Sequence, residues 1–505
     1  MMGTLTEEIF SRRLGRRVHG GDTVIAEVDC AMAHDVTGPL AIDAFRRLAH
    51  PLWDARRIVF NFDHVMPANT VAAAEMHSVI RAFCVEHGIT NLFAEGICHQ
   101  VMAEKGFAQP GGIVVGADSH STTYGAFGCF ATGLGSTDIG VVFATGKTWF
   151  RVPETIRVNI HGQHSQGVHA KDIALHVIKQ TGADGADYCA VEWTGEAVDS
   201  MNIDERMTLC NLSSDFGAKT GLIAPDYVTY AYVAESLRAD SLKGNGSTSE
   251  PGRIHGESDG MTDRHGAAND PRVKRVAASA EPRGAPLEQQ LRAAKRASAA
   301  TAYPEGRRSP REAGDVAGAC AGVLPVTSAP EPADLRAVNP SYARVIDVDA
   351  SNIRPQVAVH PAIDNVHDID EMEGMPLDEV FIGSCTNGRL SDLALAAALL
   401  EGRVVHERTR TIVVPASRRV YADALRAGYI DTFIQAGALV MNPGCGPCLG
   451  RQHGVVGPGE NVLSTSNRNY PGRMGSAEAR IFLASPSVAA ASAVCGAITD
   501  PARLQ

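Results

Sequence analysis

The chain is 505 residues long, 44% hydrophobic and 20% charged, a composition that allows several buried cores and roughly two to four domains. A formal net charge of -11 and a pI near 5.9 argue against a surface built to hold nucleic acid or an anionic membrane, so an anionic ligand has to be caught in a local basic pocket. Eleven cysteines without a secretory leader point to thiols or metal ligands rather than a disulfide framework.

In chain order, residues 1–21 hold no apolar core of signal-peptide length, and Glu7 and Glu8 are foreign to an organelle transit peptide, so a cytoplasmic protein is expected. Short apolar runs then end abruptly in polar or glycine-bearing loops. Residues 57–62 lead into Asp63-His64, 91–95 into Gly96-Ile97-Cys98-His99, and 113–116 into Asp118-Ser119-His120. From 243 to 335 the composition turns to Gly, Ser, Ala, Pro, Arg and Glu with little apolar periodicity. Such a segment cannot bury enough apolar surface to offset an ordering entropy of roughly 1–2 kcal/mol per residue, and it is expected to be a disordered insertion. Within it 286–300 fits one short helix with no assigned function. A tolerated linker is the simplest reading, because long surface loops add little free energy; a regulatory or docking role stands against it.

Beyond the insertion the pattern resumes. Residues 380–383 precede Ser384-Cys385-Thr386-Asn387, 438–441 precede Gly444-Cys445-Gly446-Pro447-Cys448, and 461–463 precede Ser466-Asn467-Arg468-Asn469, with an alanine-rich helical stretch at 391–400. The apolar stretch 481–498 is interrupted by Pro486 and many small residues, so it reads as a packed helix and not a membrane span. Apolar runs separated by helical stretches predict an α/β fold with largely parallel sheets, which place ligands beyond the carboxyl ends of their strands. The polar residues sit where such a site forms.

Cys385 and the pair Cys445-x-x-Cys448 all fall in loops directly after predicted strands. Alone, a CxxC fits half a zinc site, a redox dithiol or chance. No second CxxC or HxxxH follows at zinc-finger spacing, and a redox pair leaves Cys385 without a task. Three thiolates holding a four-iron cluster leave one iron without a protein ligand, and an open iron is a Lewis acid, as a hydro-lyase requires. The neighbourhood suits that chemistry. Arg468 and Arg473 offer forked donors to carboxylates, and Asp63, His64, His99, Asp118, His120 and Asp215 are available as acids and bases. Singly, each histidine is better explained by a hydrogen-bonded core or surface role than by catalysis; their shared place after strands sets them apart.

Here the sequence resembles the aconitase superfamily. The motifs Gly116-Ala117-Asp118-Ser119-His120-Ser121-Thr122-Thr123-Tyr124-Gly125, Ser384-Cys385-Thr386-Asn387-Gly388, Gly444-Cys445-Gly446-Pro447-Cys448-Leu449-Gly450 and Ser466-Asn467-Arg468-Asn469 occur in the family's order. Ala33-His34-Asp35-Val36-Thr37-Gly38-Pro39, Gly96-Ile97-Cys98-His99-Gln100 and Ala144-Thr145-Gly146-Lys147-Thr148-Trp149-Phe150 resemble large subunits of the isopropylmalate dehydratase and homoaconitase branch. The resemblance implies three α/β domains around an iron-sulfur cluster: residues 1–155, 156–242 and 336–505, with 243–335 inserted. It implies that Cys385, Cys445 and Cys448 bind a [4Fe-4S] cluster. His64, oriented by Asp63, would protonate the leaving hydroxyl, with His99 paired to Asp118 and His120 near the open iron. Ser119, Asn211, Asn467, Arg468 and Arg473 would bind or orient a 2-hydroxy di- or tricarboxylate.

The family usually has Glu four residues after the asparagine matching Asn211, whereas this chain has Asp215, one methylene shorter. Its pairing with His120 is therefore expected to be looser, water-bridged or rebuilt by backbone movement. The resemblance also implies a missing part. The family's proton-abstracting base is a serine in a Gly-Ser-Ser-Arg loop on a swivelling domain, absent here and expected on a separate small subunit. The leading expectation is a dehydratase isomerising 2- and 3-isopropylmalate in leucine biosynthesis, with homoaconitase or a dimethylmalate-type dehydratase as alternatives. Of different class are a non-catalytic iron-sulfur sensor, for which Cys495 is the candidate fourth ligand, an apo-form nucleic-acid binder, and a duplicated inactive subunit.

Overall fold

The computed structural model describes residues 3–244 and 340–504. Its first sheet has five parallel strands in the spatial order Leu92–Phe93, Ile58–Asn61, Cys30–His34, Ile113–Gly116 and Phe130–Gly133. The three central strands are buried along their whole length, as parallel strands covered on both faces are. The order reverses between Cys30–His34 and Ile113–Gly116, with Met32 opposite Gly116. A crevice opens beyond the carboxyl ends at such a reversal.

The second sheet is also parallel, in the order Thr220–Leu222, Ala190–Thr194, Thr155–His161 and Arg344–Asp349. A division at 336 groups the strand Arg344–Asp349 with the C-terminal part. It instead pairs with Thr155–His161, from Arg344 opposite Ile156 to Asp349 opposite His161, and closes an edge that would otherwise expose unpaired backbone groups.

The third sheet has seven strands: Val366–Asp368, Gln356–Ala358, Arg480–Leu483, Asn461–Ser464, Glu379–Ile382, Arg410–Val413 and Leu439–Val440. The last five run parallel, and Gln356–Ala358 is antiparallel to both neighbours. The order reverses between Asn461–Ser464 and Glu379–Ile382, giving a second crevice. A separate antiparallel ribbon joins Thr23–Glu27 to Lys147–Arg151.

The stretch 481–498, expected as one packed helix, divides into the strand Arg480–Leu483 and the helix Pro486–Cys495. Ile481, Phe482 and Leu483 suit a buried strand, and Pro486 takes a first-turn position where its missing N–H costs nothing. The predicted helix at 391–400 is observed as Leu390–Leu400. The helix Tyr227–Gly244 reaches two residues into the segment expected to be irregular; the rest of 243–335, with its candidate helix 286–300, lies outside the described residues. No helix among the described residues is long and apolar enough to cross a membrane.

Two glycines let the sheets meet. A Cβ on Gly125 would stand 1.7 Å from the Gly221 carbonyl oxygen, so the short 3-10 helix Ser119–Phe127 lies directly on the strand Thr220–Leu222. Gly96, at φ +151°, bridges Ser417; a Cβ there would come within 2.5 Å of the Ala416 oxygen. Ile97 N–H donates to the Ala416 carbonyl (2.8 Å) and Arg418 N–H to the Glu95 carbonyl (2.6 Å), so the loop leading to His99 is joined to the third sheet.

Candidate active site

Asp35, Asp63, Cys98 and Asp118 each follow a strand of the first sheet, which is why they converge. Asp63 is fully buried. Its Oδ1 accepts from His64 Nδ1 at 2.9 Å and its Oδ2 from the Cys98 N–H at 2.7 Å. Its backbone carbonyl accepts from the Cys445 N–H and from Gln452 Nε2, both at 3.0 Å. Asp35 accepts the backbone N–H groups of His64 (3.2 Å) and Val65 (2.7 Å), and the His34 ring stacks on that of His64 with centroids 3.9 Å apart. Burial opposes a charge on His64, yet the carboxylates of Asp63, Asp35 and Asp118 outweigh it and raise the ring to about 9. His64 therefore holds its proton at neutral pH.

A second chain of contacts starts at His99, whose Nε2 meets Asp118 Oδ1 at 2.9 Å and whose Nδ1 meets the Tyr124 hydroxyl at 3.1 Å. Burial lowers His99 despite that carboxylate, so this ring is the neutral one. Asp118 Oδ1 also accepts the His120 N–H at 2.7 Å. Burial alone would raise the Asp118 carboxyl, but His99 and His120 hold it well below its ordinary value. His120 Nε2 lies 3.3 Å from both oxygens of Asp215, and Arg468 Nε donates to Asp215 Oδ1 at 2.9 Å. The shorter aspartate thus reaches both partners directly. Arg468 Nη2 donates to Ser119 Oγ at 2.9 Å, which closes the chain.

The thiols come from the third sheet. Cys385 follows Glu379–Ile382, and Ser384 before it sits at φ +75°, a left-handed conformation that side chains with a Cβ resist. Cys445 and Cys448 occupy the loop after Leu439–Val440, in and beside the short 3-10 helix Gly446–Leu449. Three polar side chains are aimed at sulfur. Asn211 Nδ2 and Asn467 Nδ2 lie 3.2 and 3.4 Å from Cys385 Sγ, and Arg473 Nη2 lies 3.5 Å from Cys448 Sγ. Burial pushes the Cys385 thiol up to about 12, with Cys448 and Asp118 adding to it. Burial, Asp63 and the other two thiols push Cys445 well above its ordinary value. Three thiols facing one cavity repel one another as anions, and a cation bound among them relieves the repulsion.

One cavity, about 360 Å³ of space continuous with solvent, is lined by Asp63, His64, His99, Asp118, His120, Cys385, Cys445, Cys448, Asn467 and Arg473, together with Ile97, Cys98, Ser384 and Leu449. Ser119, Asn211, Asp215 and Arg468 are outside that lining but tied to it by the bonds above. Asn467 Oδ1 and Arg473 Nε are buried there without a hydrogen-bond partner among the described residues. Sequence reasoning assigned no role to His34, Asp35, Cys98, Lys171 or Arg389. His34 ends a strand and Asp35 follows it, but Cys-Ala-Met-Ala is too small-residued to stand out as one.

The sequence profile of the aconitase family (aconitate hydratase) matches residues 7–259 and 362–496. The chain is 42% identical over 501 residues to the 3-isopropylmalate dehydratase large subunit 1 of Methanopyrus kandleri, covering 99% of this chain and 98% of that one. It is 42% identical over 509 residues to the probable 3-isopropylmalate dehydratase large subunit of Methanothermobacter thermautotrophicus, with 100% of each chain covered. To the probable methanogen homoaconitase large subunit of the same organism it is 41% identical over 505 residues, covering 98% and 97%. With its parallel sheets meeting at a cavity of three cysteines and paired His–Asp groups, the chain belongs to the aconitase family.

Proposed function

We propose that this chain is the cluster-carrying large subunit of a hydro-lyase that dehydrates and rehydrates a substituted malate, with the 2- and 3-isopropylmalate pair of leucine biosynthesis as its substrates. The observation that carries the reading is the single cavity shared by Cys385, Cys445, Cys448, the protonated His64 and Arg473. Relatives named for homoaconitase keep that enzyme as the second reading. A cytoplasmic location and a division into domains at 1–155, 156–242 and 336–505, the second taking its edge strand from beyond the insertion, belong to the same proposal.

The family implies a [4Fe-4S] cluster, and the residues present fit one. Three thiols line one cavity, and amide and guanidinium donors point at two of the sulfurs, as they would at thiolates. Cys385, Cys445 and Cys448 would hold it, and when bound it supplies an open iron that acts as a Lewis acid on a hydroxyl and a carboxylate. The remaining chemistry falls to side chains. His64 delivers its Nε2 proton to the departing hydroxyl while Asp63 holds Nδ1 and Asp35 holds the backbone. His99, neutral and fixed between Tyr124 and Asp118, and His120, fixed by Asp215, orient the oxygen that leaves or returns. Arg473, Arg468 and Asn467 receive substrate carboxylates, with Ser119 and Asn211 setting the positions of Arg468 and Asn467.

Abstraction of the carbon-bound proton needs a base on the far face of the substrate. We assign it to a serine on a swivelling domain carried by a separate small subunit, a reading supported by relatives named as large subunits. The test is anaerobic absorbance of the enoate product. The iron-reconstituted chain is assayed with and without a candidate small subunit on isopropylmalate, homocitrate, citrate and dimethylmalate. Turnover of isopropylmalate only with the partner supports the proposal. Turnover of homocitrate alone replaces it with the second reading, and silence with verified cluster and complex rejects both.

A further inference from the structure

Three of the largest fully buried side chains in the described protein are cations: Arg206, which is paired with Asp226, and Lys171 and Arg389. Taking a charge out of water is tolerated where an opposite charge compensates it. Yet among the described residues neither Lys171 nor Arg389 has a carboxylate oxygen within 4.0 Å. Their partners are neutral. Lys171 Nζ donates to the Ser466 carbonyl at 2.6 Å. Arg389 Nη1 donates to the Thr386 carbonyl (2.6 Å), Thr208 Oγ1 (3.3 Å) and the Asp204 carbonyl (3.4 Å), its Nη2 donates to the Cys385 carbonyl, and its Nε has no partner among the described residues.

What Lys171 and Arg389 share is the cysteine cavity. Arg389 grips the backbone of Cys385 itself. Lys171 grips the residue before Asn467, whose amide points at Cys385 Sγ. Burial draws Lys171 down to about 7, against the more distant pull of Asp172 and Asp392.

We propose that Lys171 and Arg389 are positioning residues that supply the counter-charge for the loaded cavity, offsetting the net negative charge of three thiolates on an iron-sulfur core from the side away from substrate. The inference rests on the three-cysteine ligand reading above. Its consequence is that both cations are stabilised more in the loaded chain than in the stripped one, and that both raise the reduction potential of the bound group, which follows local charge.

The full-length chain is compared loaded and stripped of iron, by thermal unfolding, and by a redox titration of the loaded form followed by electron paramagnetic resonance. Lys171→Gln keeps a donor for the Ser466 carbonyl without the charge; Lys171→Arg keeps the charge. Arg389→Gln and Arg389→Lys make the same pair. The expected result is a smaller upward Tm shift on loading and a more negative midpoint potential in both glutamine variants, with both restored by the charged ones. A merely structural role would lower the Tm of loaded and stripped chains alike and leave the potential unmoved, and that outcome overturns the proposal. The two positions test it independently, so a glutamine variant that does not fold at one leaves the other decisive. Failure of the wild-type chain to take up iron overturns the ligand reading and this one with it; uptake with unchanged shifts overturns this one alone.

Discussion

Asp63→Asn keeps the size of a buried side chain while removing the nearest of the three carboxylates around His64: Asp63 lies at 2.9 Å, Asp35 at 3.6 Å and Asp118 at 3.8 Å. The ring stands at about 9 against an ordinary 6.5. A complete return to the ordinary value would cut its protonated share at pH 8 from roughly nine-tenths to roughly three-hundredths, about 30-fold. Asp35 and Asp118 remain, so the expected loss of dehydration rate at pH 8 lies between about 3- and 30-fold, with a much smaller loss at pH 6. The sign follows from the role. A proton donor works only while protonated, so activity declines as pH rises through the His64 pKa, and in the variant that decline begins at lower pH. The assay is the initial rate of enoate formation from pH 6 to 9.5 by the loaded chain with its partner. Iron content is measured on each sample, because the asparagine can accept from His64 or Cys98 but not from both. A uniform loss across the pH range, with the alkaline limb unmoved, would refute His64 as the proton donor.

Cys385→Ser is expected to abolish both the visible absorbance of the reconstituted chain and dehydration; a variant with full iron content would defeat the ligand assignment. Asp215→Asn removes the charge that Arg468 and His120 share at 2.9 and 3.3 Å and should lower kcat by on the order of 10–100-fold with iron content retained, read from steady-state kinetics. Asp215→Glu restores the family's usual residue and is expected to preserve or raise kcat; a collapse would show that the pocket is shaped to the aspartate. Gly125→Ala, whose Cβ would stand 1.7 Å from the Gly221 oxygen, should destabilise the chain by at least about 3 kcal/mol, measured as a lowered urea midpoint.

The strand ends were legible because parallel strands buried on both faces are written as apolar runs and their loops as sudden polarity. Ile113–Gly116 matches its predicted run, and the run at 91–95 shrinks to Leu92–Phe93. Cys30–His34 escaped because small residues fill it, although it brings His34 and Asp35 to the cavity. Arg344–Asp349 escaped because it is an edge strand whose pairing crosses the insertion. Nothing in the sequence marks Lys171 and Arg389 as buried, since burial of a cation depends on contacts made far along the chain. The direct reach of Asp215 likewise depends on the backbone of the loop Ser213–Phe216, which a comparison of side-chain lengths does not contain.

Asp63 also bears on the order in which the protein is completed. Its carbonyl and carboxylate touch Gln452 and Cys445, partners 389 and 382 positions away in sequence. Contacts of that separation form after the intervening chain has been made, and they belong to the slow part of folding. The first sheet supplies one wall of the cavity, and the wall of Cys385, Cys445 and Cys448 follows only with the third sheet. On the proposed ligand set, the cluster would be the last part added, after the loops of the third sheet are in place.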